Sequence, residues 1–434
     1  MNHAVFEAGA AREDVTPPVG TLLYGYKPDV VSTSVHDPLN VTAAAFRQGE
    51  DVALLFSVTV GDFNTELCTA IRQEIGEALG IPVSRVVAAA THTHSAPNVA
   101  GIEGWGEIDR AYADGILRPA MLRAAKRAVE ALAPAEYAVG TTLSRVGINR
   151  REQRREGEIV LGQNPWGTFD PTMTVISLRE KETGKGILNL IHYGCHGTAA
   201  GCNHEISRDW SGVMCDRLEK ESGVLTAFWN GAQGDVGPRL SNGWTTGDIR
   251  HVEELGGRAS YDAMDAWKNR GGWKDGSLKI FEGTAAVPYK ALPALSEVEE
   301  KLASYQEPEK LINVKKLEYD HWAKIRDTYR AGVPAHDTHF RFEQTALSIG
   351  DAVFVPFPFE IFSEISLRMR AYAPFRYTLC LSNTNGYQAY LPTEDQIVRG
   401  GYEVLCFLYD GAYTLVNDAD QRLIDEALRI LEER

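Results

Sequence analysis

The sequence predicts an α/β protein: a mixed, largely parallel sheet core flanked by helices, with an active site at the carboxyl ends of its strands. Three observations carry this. Apolar runs of strand length alternate with stretches of helical period. Residues 52–90 hold a complete strand–helix–strand unit, which implies a parallel pair. Several apolar runs stop at a short polar element: Thr-His-Thr-His at 91–94, His-Tyr-Gly-Cys-His at 192–196, Asn-Gly-Ala-Gln-Gly-Asp at 230–235, Pro-Phe-Pro-Phe-Glu at 356–360 and Asn-Thr-Asn-Gly-Tyr at 383–387. Ligands of open α/β sheets bind at such strand ends.

Taken in order, residues 14–26 are punctuated by Pro and Gly and read as a packed irregular loop. Strands are expected at 41–48 and 52–60. Leu67, Ile71, Ile75 and Leu79 recur every fourth residue and predict a helix over 65–79. The run at 85–90 is a buried strand, placed at the centre of the sheet. A long Ala-rich helix is expected from 109 to 132, stopped by Pro134. A strand over 136–148 should end at Asn149-Arg150-Arg151, followed by a solvated loop at 150–158. Strands follow at 170–178, 186–192 and 224–229, with helices at 209–221 and about 246–269. After a strand near 278–288, residues 294–331 read as a peripheral helical hairpin whose inward side carries Leu302, Leu311, Leu317, Trp322 and Ile325. Strands at 351–359 and 376–383 and a helix at 418–432 complete the chain. No repeat, low-complexity tract or linker interrupts it, so residues 1–434 are expected to form a single catalytic domain.

Composition narrows the partners. The formal net charge of −15 disfavours nucleic acid and anionic membrane surfaces. No segment approaches eighteen apolar residues, so no membrane span and no stable membrane association is expected. The six cysteines form no CxxC pair, and the first residues show no basic stretch followed by an apolar run. Both point to a reducing, cytoplasmic setting. The expected partner is a small-molecule substrate; oligomeric state is not readable.

Histidines and a carboxylate recur at the strand ends. His92, His196 and Glu360 make a two-histidine, one-carboxylate set, the donor types of a catalytic zinc site with an open position for water. Alternatives stay open for each. The His92 segment could be an ordinary polar loop, His196 a core histidine, and Glu360 a carboxylate at a helix N-terminus. His94, His192 and His204 are further imidazoles, and His94 suits a supporting role. Asp235 reads most simply as a turn residue, with orienting acid or ligand as alternatives. Arg150 reads as exposed. Trp105, Trp166 and Trp244 could line a pocket, although packing suits each better.

The motifs, in order, resemble the neutral (alkaline, non-lysosomal) ceramidase family. They are Glu13-Asp-Val-Thr-Pro-Pro and Tyr24-Gly-Tyr; Thr91-His-Thr-His-Ser-Ala-Pro; Ile148-Asn-Arg150; Asp170 followed by Met-Thr-Val; and Cys195-His-Gly-Thr. Then come Ser207-Arg-Asp-Trp-Ser-Gly, Asn230-Gly-Ala-Gln-Gly-Asp-Val-Gly-Pro, Pro358-Phe-Glu360, and Asn385-Gly-Tyr-Gln-Ala-Tyr390-Leu-Pro-Thr with Tyr402 beyond it. The resemblance spans about residues 8–405. It implies a zinc-dependent amidase with Zn²⁺ held by His92, His196, Glu360 and Tyr390. It also implies that His94, Arg150 and Tyr402 orient substrate and stabilise the oxyanion.

Three departures are visible. The serine that the family places before its Asn-x-Gly-Asn/Asp turn matches Gly231 here, so no hydroxyl stands there. The family's C-terminal immunoglobulin-like domain and its export signal are expected to be missing. These departures argue against ceramide itself. The expected function is therefore a zinc-dependent hydrolase, foremost an amidohydrolase cleaving an N-acyl or other amide bond of a small molecule. A zinc-dependent ester or lactone hydrolase and a non-catalytic metal-containing binding protein are the alternatives.

Overall fold

The computed structural model describes residues 4–332 and 338–432. Strands β1 (Phe6–Asp14) and β3 (Asp51–Val58) each pair antiparallel with β2 (Asn40–Gln48) between them, and helix α1 (Thr65–Leu79) returns the chain to β4 (Val86–Ala90). The β3–β4 pair is parallel, as the strand–helix–strand pattern requires. Helix α2 (Arg118–Glu130) leads to β5 (Ala133–Leu143), β6 (Gly147–Gln153), β7 (Ile159–Asn164), β8 (Thr172–Glu180) and β9 (Gly186–Tyr193). Next come α3 (Asp209–Ser222), β10 (Thr226–Asn230), β11 (Val236–Pro238) and α4 (Ile249–Lys268). The last part holds β12 (Leu278–Pro288), α5 (Leu295–Ala303), α6 (Asn313–Arg330), β13 (His339–Ile349) and β14 (Ala352–Pro356). It closes with α7 (Ser363–Tyr372), β15 (Tyr377–Leu381), α8 (Tyr402–Tyr409) and α9 (Ala419–Glu432).

The main sheet has nine strands, in the order β10-β9-β8-β5-β1-β2-β3-β4, with Lys274–Asp275 pairing to β5. A second sheet runs β12-β13-β14-β15, and a third, small one β11-β6-β7. The sheet is mixed, but parallel pairing is less extensive than expected. It is confined to β9–β10 and β3–β4 in the main sheet and β14–β15 in the second. Short reversals account for the rest: only Gly49 and Glu50 separate β2 from β3, and so short a link permits only antiparallel pairing. Strand β4 lies at an end of the sheet order, not at its centre.

Both faces of the main sheet are covered. Along β4, Val86, Ala88 and Ala90 pack with α1 and α2, while Val87 and Ala89 face Leu347, Phe354, Leu379 and Leu381 of the second sheet. This period-two division explains why the strand reads as an unbroken apolar run. Helices α3 and α4 cover the remainder of the outer face, and α7 and α9 cover the far side of the second sheet. The result is helix, sheet, sheet, helix: two sheets face to face rather than one sheet between helices.

Two elements depart from expectation near the site. The strand expected over 136–148 is interrupted between β5 and β6. There the Tyr193 hydroxyl donates to Ser144 O at 3.2 Å and accepts from Gly147 N at 3.1 Å, turning the chain out of the main sheet. The 109–132 helix opens with a short α turn at Arg110–Tyr112 and then widens into a π turn at Ala113–Leu117 before α2. Pro119, in the first turn of α2, has no N–H to close a regular α ladder there. All six cysteines are free, and no described helix is long and apolar enough to cross a membrane.

Candidate metal centre

The parallel strand pairs converge on one place. The loop after β4 carries His92 and His94, the loop after β9 carries His196, and the short run after β14 carries Glu360. Residues Thr91 and His92 continue beside β3, with Thr91 N to Val58 O at 2.9 Å and His92 N to Val60 O at 3.0 Å. His92 then adopts a left-handed φ of 65°. For a histidine this costs about 1–3 kcal/mol and persists only where the surroundings enforce it. The enforcement is visible. Gly197 N bonds His92 O at 3.2 Å, and His94 N bonds Gly197 O at 3.1 Å, so the two histidine loops are zipped together. Asn230, at the end of β10, gives its amide to Thr91 O at 3.0 Å and Cys195 O at 3.2 Å, and accepts from Cys195 N at 3.1 Å. Glu360 pairs with Tyr390 in a two-residue parallel bridge, with Glu360 N to Ala389 O at 3.1 Å.

The imidazole tautomers follow from their partners. His196 Nδ1 faces two carbonyls, Gln233 O at 2.8 Å and Val236 O at 3.1 Å. His92 Nδ1 faces Gly61 O at 3.0 Å and Asp62 Oδ1 at 3.2 Å. Each Nδ1 must therefore carry the proton of the neutral ring, which leaves each Nε2 as a lone pair whenever the ring is neutral, as a metal ligand must be. Those lone pairs meet Glu360 Oε2, at 3.4 Å from His92 and 3.0 Å from His196. His94 Nε2 lies 3.3 Å from His92 Nε2, and the Tyr390 hydroxyl 3.3 Å from His196 Nε2. Donor atoms of His92, His94 and His196 all lie within 4.8 Å of one another, as do those of Asp62, His92 and Glu360. All the side chains are buried save His94, which is partly so, and Glu360 Oε2 has no hydrogen-bond partner. Acceptors facing acceptors around a shared point, in a buried place, are the arrangement that a cation completes.

The charge balance agrees. Burial alone would hold His92 neutral, but the Glu360 and Asp62 carboxylates outweigh it and lift the ring to about 9. Burial, the His92 charge and Arg150 hold His94 well below the usual range, and burial, Arg150 and His92 do the same for His196. Burial, opposed by His92, lifts Glu360 to about 7. Without a cation the protein thus protonates one imidazole to balance its carboxylates. A divalent ion would supply that charge instead.

Behind these residues stands a layer that sequence reasoning missed. Asp62 touches the far nitrogen of His92 and accepts from the Tyr24 hydroxyl at 2.6 Å, so it orients rather than completes the cluster. Asn383 Nδ2 lies 3.0 Å from His92 Nδ1 while its Oδ1 has no partner; a half-turn of the amide gives His92 a third acceptor. Arg150 and Arg151 are buried, contrary to the expected solvated loop. The reason is the fully buried Glu403, which meets Arg150 Nε at 2.8 Å and Arg151 at 2.6 Å. Arg150 in turn reaches the Tyr390 hydroxyl at 3.0 Å, and its guanidinium lies 5.4 Å from the Tyr390 ring and 6.0 Å from Tyr402. Asn230, Asp62 and Asn383 gave no signal beyond standing near strand ends. Glu403 had only its place beside Tyr402.

The other candidates lie apart. His192 Nε2 meets Cys380 O at 2.8 Å in the core, and His204 Nδ1 meets Val31 O at 2.7 Å at the surface. Asp235 accepts from Ser363 N at 2.7 Å and Ser363 Oγ at 2.8 Å, bracing the start of α7 just beyond Glu360. A Cβ on Gly231 would sit 2.9 Å from His192 Nε2, so a side chain there meets packed protein. Trp166 and Trp244 are exposed, whereas buried Trp105 lines the small cavity of about 30 Å³ beside His92, His94 and Glu360. Beside that cavity, sharing several of its lining residues, is a chamber of about 480 Å³, to which α6 contributes Leu317 and Lys324.

No protein-family model and no curated protein matches the sequence. Solved structures do. Neutral ceramidase from Pseudomonas aeruginosa superposes with a TM-score of 0.74 at 18% identity, covering 99% of this chain and 75% of that one. The fold is that of neutral ceramidase. A ceramidase complexed with C2 gives a TM-score of 0.73 at 17% identity, covering 99% of this chain and 76% of that one. The superposition thus spans nearly all of this chain.

Proposed function

We propose that this chain is a zinc-dependent hydrolase that cleaves an amide bond of a small molecule. One observation carries the reading: the lone pairs of His92 and His196 and the partnerless Glu360 oxygen share a buried focus at the end of a cavity. Two imidazole nitrogens and a carboxylate are donors that zinc accepts, and Tyr390 stands close enough to be a fourth. When bound, zinc acidifies water from about 15.7 toward roughly 7 and polarises a carbonyl. The ceramidase fold supports carbon–nitrogen bond cleavage as the chemistry.

The protein's own groups have separable roles in this reading. His92 and His196 are ligands because carbonyls fix their Nδ1 atoms, the usual bracing of metal-bound imidazole. His94 Nδ1 has the Gly25 backbone beside it but no acceptor in good hydrogen-bond geometry, so its ring is braced less firmly than those of His92 and His196. Held neutral, it is suited to take a proton from water and return it to the leaving amine. Arg150, fixed by Glu403 and pointing at the Tyr390 hydroxyl, stabilises negative charge developing on the carbonyl oxygen, with Tyr402 beside it. The formal charge of −15 supports a small molecule, rather than nucleic acid, as the partner.

The test is a substrate panel of N-acyl amines, esters and lactones, run on zinc-loaded protein and on His92→Ala. Amide turnover that disappears with the metal supports the proposal. Turnover of esters or lactones alone replaces the bond assignment. Retained stoichiometric zinc without turnover of any compound makes the chain a binding protein.

A further inference from the structure

The cavity at the histidines and the outer chamber share a wall made by Ile102, Leu317, Tyr387, Ala389, Tyr390 and Asp410. The inner space, about 30 Å³, is far smaller than the outer chamber, so it suits the reacting group of a substrate. The remainder of a substrate must occupy the 480 Å³ chamber, and its chemistry is written there.

Three acids and one base line that chamber: Glu66, Glu103, Asp410 and Lys324. Lys324 is already matched, with Nζ 2.6 Å from Glu103 Oε1. Asp410 is not. It caps the end of α8, keeps some exposure through the chamber, and has no hydrogen bond or ion pair with any described residue. Burial, partly countered by Lys324, lifts its carboxyl to about 6, so it is mainly ionised at neutral pH. Phe359, Tyr387, Phe407 and Tyr413 stand in the same walls. Aromatic faces attract cations by their quadrupole, and a carboxylate among them adds direct charge.

We propose that the chamber is a cation subsite: the substrate carries an amine or quaternary ammonium group, held by Asp410 among aromatic rings, outside the bond that is cleaved. The proposal rests on the hydrolytic reading only in calling the occupant a substrate; the subsite binds whether or not turnover occurs. A lone anion-accepting role fits poorly, because the one lysine present is spoken for by Glu103.

Choline and its uncharged isostere 3,3-dimethyl-1-butanol are the probes, titrated by calorimetry into the full-length, zinc-loaded chain without any hydrolysable substrate. Choline is expected to bind at least about 10-fold more tightly than the isostere. Asp410→Asn should bring the ratio near one while zinc content stays unchanged. Lys324→Met, which removes the competing cation and with it some of the support for the ionised Asp410 carboxyl, should leave the ratio equal or larger when read at pH 8, where that carboxyl is ionised. Equal affinities in the parent protein overturn the proposal. So does a ratio that survives Asp410→Asn, or one that collapses in Lys324→Met. Failure of the hydrolysis panel with the choline preference intact sinks the hydrolytic reading alone.

Discussion

Replacing Glu360 by Gln separates a metal ligand from an ordinary buried acid, because the two roles predict different effects in metal-free and zinc-loaded protein. The carboxylate is buried, its Oε2 has no hydrogen-bond partner, and it lies 3.0 Å from a lone-pair nitrogen. In metal-free protein the loss of the desolvation cost is set against the loss of the His92 charge pair, which Asp62 still partly supplies, so Glu360→Gln should change the melting temperature far less than zinc does. Zinc at a thousandfold excess over its dissociation constant stabilises by about 4 kcal/mol. Unfolding entropy of about 2.1 cal/mol/K per residue, over 434 residues, makes 1 kcal/mol worth about 1 °C. The parent should therefore rise by about 4–5 °C on zinc addition. Losing an anionic ligand weakens binding by about 100-fold or more, since even groups behind the ligands cost 10–100-fold. At the same zinc concentration the variant then keeps only about 1.4 kcal/mol, a shift of about 1.5 °C. Scanning fluorimetry with and without zinc reads all four values. An undiminished zinc shift in the variant would refute the ligand role. A metal-free loss of stability larger than the zinc shift would show that the carboxylate serves the His92 pair more than a metal.

His92→Ala should lose stoichiometric zinc by elemental analysis, His94→Gln should keep zinc yet lose turnover by 100-fold or more, and His204→Ala should change neither. Gly25 has a φ of 113°, and a Cβ there would lie 2.3 Å from His94 Nδ1. Gly25→Ala should thus displace the His94 ring and lower kcat by about 10–100-fold with zinc retained; unchanged kcat would deny His94 its place in the reaction. Asp235 is lifted by burial from 3.8 to about 6. A raised carboxyl pKa means stability present below the unfolded value and lost as pH rises through the folded one. Relative to Asp235→Asn, the parent should therefore lose stability between about pH 4 and 6, by on the order of 3 kcal/mol, and stay level above. A difference in melting temperature that does not vary from pH 4 to 7 would contradict this.

Much of this molecule is written locally. The helix at 65–79 was legible to the residue because four aliphatic side chains recur at one spacing and Gly80 ends it in a left-handed conformation. His92, His196 and Glu360 stood out because each follows an apolar run, and the parallel pairs do bring those run ends together. The sheet arrangement was less legible. A strand buried on both faces looks the same whether a helix or a second sheet covers it, so Val87 and Ala89 gave no hint of Phe354 and Leu379. The burial of Arg150 was hidden because its partner Glu403 is 253 residues away. The break before β6 depends on one hydroxyl, that of Tyr193, which no local pattern announces. Long-range polar pairing is invisible to periodicity, and it is the means by which this site is held.

The most direct measurement is anomalous diffraction collected on both sides of the zinc absorption edge from crystals grown without chelator. The account predicts one strong peak about 2.0–2.2 Å from His92 Nε2, His196 Nε2 and a Glu360 oxygen. A map with no peak there, or with zinc held only at surface carboxylates, would contradict it.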